Sequence, residues 1–264
     1  MTRTYVVTGS ASGIGATTAK TLRDRGDRVI GIDLKGAEIE ADLSTHEGRI
    51  AAAAQATELA DGVIDGVIAC AGISAPIAKT ISINYFGVAE LLEALRPALA
   101  ASDAPRAAVV SSMASLQPNS KEMVEAALSG DEAKTLEIAE AIVANGPEAG
   151  YAVYPSSKRA IARWVRREAV TEAWAGAGIA LNAVAPGTVV TPMTAELLAT
   201  EEGRAMVDAA VPMPLNSHQP AQSIADVLVW LTDTANTHMA GQVIYCDGGA
   251  DATLRGDDIW SWND

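Results

Sequence analysis

The sequence predicts an α/β fold: a doubly wound, Rossmann-like parallel sheet in a single domain, residues 1–264, with a helical insertion. Short apolar runs of strand length alternate with longer stretches of helix length, and this βαβ rhythm is typical of a parallel sheet covered by helices on both faces. A glycine-rich turn at residues 8–15 follows the first apolar run, where a strand enters a helix. Neither an internal repeat nor a linker interrupts the alternation, so one domain is expected.

Each element follows from a local pattern. Strands are assigned to short apolar runs, and helices to longer stretches with helical periodicity or a high alanine content. In chain order the elements are strand 5–8, helix 14–25, strand 28–33, helix 48–59, strand 63–70, helix 81–99, strand 107–112, helix 154–175, strand 179–184, helix 221–232 and strand 243–246.

Residues 117–150 break the alternation. Two stretches, 121–128 and 132–144, have helical character and are joined at Ser129-Gly130. A structureless loop of that length would be unusual in a compact domain. We therefore predict a helical hairpin inserted at the carboxyl edge of the sheet.

Composition excludes several classes of function. The net charge of −14 opposes non-specific binding to nucleic acid or to an anionic membrane, so neither is expected as a partner. The chain opens directly into a strand and has no apolar run of about 20 residues, so we predict a cytoplasmic location.

Cys70 and Cys246 each end an apolar run and are expected to be structural thiols. The three histidines are too scattered to predict a metal site.

The glycine turn has the spacing of a phosphate-binding loop. Gly9, Gly13 and Gly15 follow a predicted strand and open a predicted helix, and Ser12 and Ile14 lie between them. Glycine allows the sharp turn and the close approach that backbone amides need to meet a phosphate. The spacing alone also fits a plain tight turn, but its context indicates a dinucleotide site.

Acidic residues after the next strands indicate which dinucleotide binds. Asp33 ends the second strand, 18 residues after Gly15, where a carboxylate can accept hydrogen bonds from the adenosine ribose and repel a 2′-phosphate. NAD is therefore predicted over NADP, although Lys35 lies nearby. Asp42 and Leu43 follow a third short apolar stretch and are placed to reach the adenine.

Tyr154 and Lys158 are spaced for proton chemistry. They lie one helical turn apart, so the ammonium can lower the pKa of the phenol, which is otherwise about 10. Tyr154 would then donate a proton to a ketone or take one from an alcohol. The alternative is an ordinary exposed Tyr-Lys pair. Tyr151 is a useful control because the residue four positions later is Pro155.

A serine at the end of the fourth predicted strand is a candidate for polarising the substrate oxygen. Ser112 can donate a hydrogen bond to that oxygen, and Ser111 and Ser115 are alternatives. Neighbouring strand residues point to opposite faces, so Ser111 and Ser112 cannot share the role. The residue pattern leaves the choice open.

Taken together, these motifs resemble the short-chain dehydrogenase/reductase superfamily over essentially the whole chain. The matching motifs keep the order they have in that family. They are Thr8-Gly-x-x-x-Gly-Ile-Gly15, Asn84-Tyr-Phe-Gly87, Ser112, Tyr154-x-x-x-Lys158 and Asn182-Ala-Val-Ala-Pro-Gly187, followed by Val189 and Thr191.

The resemblance implies roles for several of these residues. Ser112, Tyr154 and Lys158 fall on the catalytic positions, and Asn84 would hold a water that links Lys158 to solvent. Coenzyme contacts are implied for Pro186, Gly187, Val189 and Thr191, the last two near the carboxamide, and for Tyr154 and Lys158. They are also implied for Leu34, Cys70, Ala71 and Gly72, on the adenosine side. One departure is Cys70-Ala71-Gly72, where the family usually has Asn-Ala-Gly, so a stabilising side-chain amide is lost.

Within the superfamily the chain is most similar to the 3α-hydroxysteroid dehydrogenase/carbonyl reductase group. The similarity lies in Gly31-Ile-Asp33-Leu34, the Asp42-Leu43 segment, Cys70-Ala-Gly and the insertion before Tyr154. The resemblance implies a substrate lid at residues 188–217, where apolar residues such as Met193, Leu197 and Met206 fit an apolar pocket or an ordinary amphipathic helix.

The expected function is hydride transfer between NAD(H) and a ketone or secondary alcohol, either a steroid or an aryl or alkyl carbonyl. The alternatives are a sugar or diol dehydrogenase of the same fold, or a non-catalytic NAD-binding scaffold protein. The resemblance also implies a homodimer or homotetramer. The Tyr154 helix is a common pairing face in the family, and the insertion just before it is placed to cover that face.

Overall fold

The protein is built on one parallel sheet of seven strands. The computed structural model describes residues 2–260. The sheet order is β3-β2-β1-β4-β5-β6-β9, and every neighbouring pair is parallel. Its strands are β1 (Thr4–Thr8), β2 (Arg28–Asp33), β3 (Ile39–Glu40), β4 (Gly66–Ala69), β5 (Arg106–Val110), β6 (Ala180–Pro186) and β9 (Val243–Cys246). A small parallel pair, β7 (Val189–Val190) and β8 (Gln219–Pro220), lies apart from it.

Helices cover both faces of the sheet, as the alternating pattern predicts. They are α1 (Gly13–Asp24), α2 (His46–Leu59), α3 (Lys79–Ile81), α4 (Gly87–Ala100), α5 (Lys121–Leu128), α6 (Glu132–Val143), α7 (Pro147–Gly150), α8 (Val153–Glu168), α9 (Ala195–Ala199), α10 (Glu201–Ala210), α11 (Ala221–Leu231) and α12 (Ala250–Arg255). One core cluster lies under α2, α4 and α8, and a second lies under α1 and α11. The fold is a single Rossmann-like domain, whose predicted limits, 1 and 264, lie outside the described residues.

The segment 117–150 contains the two expected helices, α5 and α6, and a short third helix, α7. Each of the first two begins at a polar cap: Ser120 Oγ accepts from the amide of Met123, and Asp131 Oδ1 from that of Lys134. Apolar side chains of α5 and α6, including Ile138, join the core cluster beneath α8. The segment is therefore packed into the domain.

Two predicted helices differ from those observed. The single helix expected over 81–99 is interrupted by a π-helical turn, Ser82–Phe86, which separates α3 from α4. The helix expected over 154–175 ends at Glu168. The chain then turns so that Trp174 is fully buried, with its Nε1 donating to Glu93 at 3.0 Å and its ring edge-on to Trp164. Burial of this large side chain outweighs local helix propensity.

The carboxyl ends of the strands meet where the strand order reverses. From β1 the chain proceeds outward through β2 and β3, then returns to β4 on the other side of β1. Thr8 is in register with both Ile32 and Ala69, so the loops after β1, β2 and β4 open at one level. Such a switch point is where open α/β sheets bind ligands.

Within residues 2–260, none of the helices is both long and apolar enough to cross a membrane. Over the same range, no group of three or more His, Cys, Asp or Glu residues is arranged to hold a metal ion. Both cysteines are free thiols.

Candidate active site

A cleft of about 420 Å³ opens at the carboxyl edge of the sheet. All the residues that the sequence predicts for coenzyme contact line this cleft. They are Gly9, Ser12, Gly13, Ile14, Gly15, Asp33, Leu34, Asp42, Leu43, Cys70, Ala71, Gly72, Tyr154, Lys158, Pro186, Gly187, Val189 and Thr191. Ser112 also lines it, whereas Asn84 does not. The cleft runs from the loop after β2, past the glycine turn, to the first turn of α8.

The glycine turn depends on the absence of side chains. Gly9 and Gly13 have φ of 66° and 53°, a left-handed conformation that glycine adopts without strain. A Cβ on Gly15 would lie 2.1 Å from the carbonyl oxygen of Gly9, so the helix can begin this close to the strand only with glycine there. The start of α1 consequently faces the cleft with free backbone amides.

Asp33 is held in place by the glycine turn itself. Its Oδ2 accepts from the amide of Ala11 at 2.9 Å, and its Oδ1 accepts from the amide of Leu34 at 2.7 Å. The carboxylate is half-buried at the cleft wall. A negative charge with two fixed hydrogen bonds suits acceptance from sugar hydroxyls and disfavours a nearby phosphate.

The loop after β3 forms one end of the cleft. Hydrogen bonds from Ser44 and, to a smaller extent, from Lys79 lower the pKa of Asp42, whose carboxylate lies 3.1 Å from Lys79 Nζ. Lys79 lines the same cleft and was not predicted from the sequence. Its position on α3 is set by the chain path after Gly72, and no local motif marks it.

The backbone at Cys70 is held by hydrogen bonds although the usual asparagine is absent. Burial raises the pKa of its thiol to about 12, so it stays neutral at ordinary pH. The hydroxyl of Thr8 accepts hydrogen bonds from the amides of Cys70 and Ala71, at 3.1 and 3.0 Å. The end of β1 therefore holds this turn by a different side chain.

Tyr154 and Lys158 face the cleft from the first turns of α8. Lys158 is 5% exposed, and its Nζ donates to the carbonyl of Val110 at 2.9 Å and lies 5.8 Å from the centre of the Tyr154 ring. Burial lowers the pKa of Lys158 to about 8. The two side chains share one face of the helix, as their spacing predicts.

The expected lowering of the pKa of Tyr154 is wrong for the protein alone. Burial raises the pKa of this phenol above its ordinary value, and the hydrogen bond with Ser112 opposes that rise only in part. The ammonium of Lys158 is itself desolvated and bonded to a backbone carbonyl, so it does not stabilise the phenolate enough to offset burial. Tyr154 is therefore a protonated acid at neutral pH.

The geometry distinguishes the three candidate serines. Ser111 is buried, with its Oγ donating to the carbonyl of Lys158 at 3.0 Å. Ser115 is also buried, and its Oγ is 3.2 Å from the hydroxyl of Tyr245. Ser111 and Ser112 both line the cleft, but of the three serines only Ser112 has its hydroxyl paired with the phenol of Tyr154. Ser111 instead fixes the helix turn that carries Lys158.

Asn84 lies behind the cleft, fully buried in the π-helical turn. Its side-chain amide bonds the backbone of Ile73 in both directions at 2.9 Å and donates to Ser157 Oγ at 3.0 Å. A Cβ on Gly72 would lie 3.0 Å from Asn84 Oδ1 and 3.5 Å from Lys158 Nζ. The asparagine is thus close to the lysine, and Gly72 allows that approach.

The segment 188–217 lies beside the cleft and has few buried side chains. Met193, Leu197 and Met206 are 50%, 40% and 58% exposed. At its far end Met213 packs against Gly187 and Gly248, and Leu215 donates from its amide to the carbonyl of Gly248 at 2.9 Å. This anchor on the turn after β9 had no recognised signal in the sequence.

Some residues that line the cleft were not predicted from the sequence. Besides Lys79, they are Ala41, Ile73, Ile83, Val110, Pro192 and Thr194.

Two family profiles match the chain. The family described as short chain dehydrogenase matches residues 3–127, and that described as enoyl-(acyl carrier protein) reductase matches residues 121–251. Together these matches span nearly all of the sequence, the insertion included.

Individual proteins are similar over nearly the full length. The chain is 36% identical to the 3-alpha-hydroxysteroid dehydrogenase/carbonyl reductase of Comamonas testosteroni, over 95% of this chain and 97% of that protein. It is 28% identical to the galactitol 2-dehydrogenase (L-tagatose-forming) of Cereibacter sphaeroides, over 92% of each. The crystal structure of the 3-alpha-hydroxysteroid dehydrogenase from Pseudomonas sp. B-0831 complexed with NADH superposes with a TM-score of 0.88 at 38% identity, over 97% of this chain and all of that one.

Proposed function

This chain belongs to the short-chain dehydrogenase/reductase family and is an oxidoreductase; on that premise we propose that it transfers a hydride between NAD(H) and an apolar ketone or secondary alcohol. One observation carries the proposal: Ser112, Tyr154 and Lys158 converge on the cleft that the glycine turn and Asp33 also line. A proton donor therefore faces a space shaped for a dinucleotide.

The cleft fits a nicotinamide dinucleotide on its own features. The turn at Gly9 to Gly15 leaves no room for a Cβ at Gly15 and presents backbone amides at the start of α1. Asp33 offers a fixed acceptor for the adenosine ribose, and Asp42 and Leu43 line the adenosine end. Lys158 would hold the nicotinamide ribose, and Pro186, Gly187, Val189 and Thr191 would surround the nicotinamide ring.

When bound, the nicotinamide supplies or accepts the hydride at the carbonyl carbon. The residues of the chain manage the proton and the oxygen. Ser112 donates a hydrogen bond to the substrate oxygen, and Tyr154 gives its phenolic proton to that oxygen during reduction. Lys158, charged below about pH 8, stabilises the phenolate that forms. Asn84, which lies close to Lys158, would hold a water that links the lysine to solvent, so that the proton can be replaced.

An apolar substrate is favoured by the segment 188–217, which we propose as the lid. Its exposed methionines and leucines, Met193, Leu197 and Met206, would bury apolar surface on closing over a ligand. A steroid or an aryl or alkyl ketone meets that requirement. A sugar or diol is the alternative, favoured by the similarity to galactitol 2-dehydrogenase, but it would leave these side chains facing hydroxyl groups.

The test of the mechanism is removal of the phenolic hydroxyl. Tyr154→Phe should lower ketone reduction by about 10²- to 10⁴-fold because the general acid is lost. Binding of NADH, followed by fluorescence titration, should be nearly unchanged. Tyr151→Phe is the matched control: that side chain is 57% exposed, and turnover should remain at the level of the unmodified protein. Undiminished turnover of Tyr154→Phe would refute the proposed acid.

The preference for NAD over NADP is assigned to Asp33. Asp33→Ala removes a fixed negative charge from the ribose site. It should lower the ratio of kcat/KM with NADH to kcat/KM with NADPH by about tenfold. Asp24→Ala is a control, since that carboxylate lies on the far end of α1 and pairs with Lys20. An unchanged ratio in Asp33→Ala would show that this acid is not the selector.

We also propose that the protein assembles as a homodimer or homotetramer. The insertion affects which face could be used: α5 lies against α8, and Glu125 forms an ion pair with Arg163. That side of the Tyr154 helix is consequently occupied within the chain. A pairing surface elsewhere on the sheet or helices is expected.

A further inference from the structure

Arg49, on α2, binds the backbone behind the adenosine end of the cleft. Its side chain is fully buried. Nε donates to the carbonyl of Leu43 at 2.8 Å, and Nη2 donates to the carbonyls of Ser44 and Ser82 at 3.0 and 3.2 Å. Leu43 lines the cleft, and Ser82 begins the π-helical turn that carries Asn84. One guanidinium therefore holds two segments of the site at once.

The loop that Arg49 holds has little freedom to adopt another position. Residues 41–45 lie between β3 and α2, outside regular structure. A Cβ on Gly48 would lie 2.1 Å from the carbonyl oxygen of Asp42, and a Cβ on Gly87 would lie 2.9 Å from that of Leu43. Both carbonyl oxygens therefore pack closely against helix backbones, that of Asp42 against α2 and that of Leu43 against α4. The amide of Ala41 donates to the carbonyl of Asp33 on β2 at 2.9 Å. Beyond that bond, the position of residues 42–44 depends on these contacts, on the ion pair of Asp42 with Lys79 and on the guanidinium.

The charge of Arg49 is balanced partly from the insertion. Glu132, the first residue of α6, receives two hydrogen bonds, from Nη1 at 2.6 Å and from Nη2 at 2.8 Å. Glu90 on α4 accepts a third at 2.8 Å. A buried guanidinium is stable only when its charge and donors are satisfied. The fork-to-fork pair with Glu132, the one bidentate contact among these bonds, therefore helps to orient the plane of the guanidinium.

We propose that Arg49 and Glu132 are positioning residues for coenzyme binding: the insertion, through Glu132, orients Arg49, and Arg49 holds the 42–44 loop where the adenosine half of NAD(H) binds. The inference rests on the proposed function of the cleft. It assigns to the insertion a second role besides packing on α8. Neither residue lines the cleft, so both act through the backbone of the loop.

The test uses a pair of variants on one helix. Glu132→Ala removes the bidentate partner. Glu137→Ala, five positions further along α6, removes only an exposed ion pair with Lys134. We expect Glu132→Ala to raise the Kd and the KM for NADH about tenfold, as for loss of charged hydrogen bonds. The kcat at saturating NADH and the KM for ketone should stay within about twofold. Glu137→Ala should leave all four constants unchanged.

A second variant covers the case in which Glu132→Ala folds poorly. Glu132→Gln keeps the size and one acceptor oxygen, and should raise the Kd for NADH by a smaller factor than the alanine variant. A purely structural role would lower the thermal stability or the fraction of active protein while leaving the Kd of the folded fraction intact, and that result would overturn the inference. Failure of the unmodified protein to bind NADH would instead refute the proposed function.

Discussion

At the scale of single residues, burial determines the protonation state of the proposed proton-transfer pair, Tyr154 and Lys158. Tyr154 is kept protonated because desolvation raises the pKa of its phenol, while desolvation lowers the pKa of Lys158 to about 8. The two shifts have one cause, since burial disfavours whichever form is charged. Their spacing could be predicted from the sequence, but the direction of the tyrosine shift could not, because it depends on how much water the assembled cleft excludes.

A pH dependence of the reduction rate follows from the directions of these two pKa shifts. Below about pH 8 Lys158 carries its charge and Tyr154 carries its proton, which is the state required for ketone reduction. As the pH rises through about 8, Lys158 loses its proton first, so support for the forming phenolate is lost while the phenol is still protonated. The kcat for reduction, measured with NADH and ketone saturating, should therefore decline above about pH 8.

The decline must be distinguished from unfolding. Activity should return when the pH is brought back to neutrality, and the far-UV circular dichroism should be constant over the range. A reduction rate that stays level to about pH 9.5 would contradict the role given to the lysine charge.

At the scale of elements, local patterns predicted six of the nine strands within residues 2–260 and most of the longer helices, but not the two-residue strands β3, β7 and β8. Long-range contacts account for the helices that differ. Apolar runs of strand length and the glycine turn are local signals, so the order of the βαβ units could be derived from them. The end of α8 depends on Trp174 meeting Glu93 and Trp164 across the fold. The sequence predicted one long helix where the structure has a π-helical turn, and that turn brings Asn84 towards Ile73.

In the candidate site, too, some residues could be placed from local patterns, whereas others required long-range contacts. Residues next to strand ends could be placed in the cleft because parallel strands open at one edge. The choice between Ser111 and Ser112 required the partner of each hydroxyl. The contact between Arg49 and Glu132 joins positions 83 residues apart, and no pattern near either residue indicates the other. Contacts of this kind depend on tertiary structure and have no local signature.

At the scale of the whole molecule, burial is unevenly distributed. Two apolar clusters fill the faces of the sheet, and the insertion contributes to one of them. In the proposed lid, α9 has no buried residue and α10 buries only Gly203. Segments with few buried contacts open locally at low free-energy cost. The lid is therefore the part of the cleft wall best able to move, while the insertion is held by its apolar face and by Glu132.

Limited proteolysis should reveal that the lid opens more readily than the insertion. Trypsin has exposed sites in both segments, at Arg204 on α10 and at Lys121 and Lys134 on α5 and α6. Helix α6 buries Thr135, Ile138 and Ala139, so cleavage at Lys134 requires unpacking from the core. Helix α5 buries Met123 and Val124 next to Lys121, so cleavage there also requires unpacking. We expect the first cut, identified by mass spectrometry of the intact fragments, to fall after Arg204. Saturating NADH together with a ketone that binds should slow it, because closing over a ligand buries the exposed methionines and leucines of the lid. Initial cleavage within 117–150, or an unprotected lid in the presence of both ligands, would mean that the segment 188–217 does not close over the site.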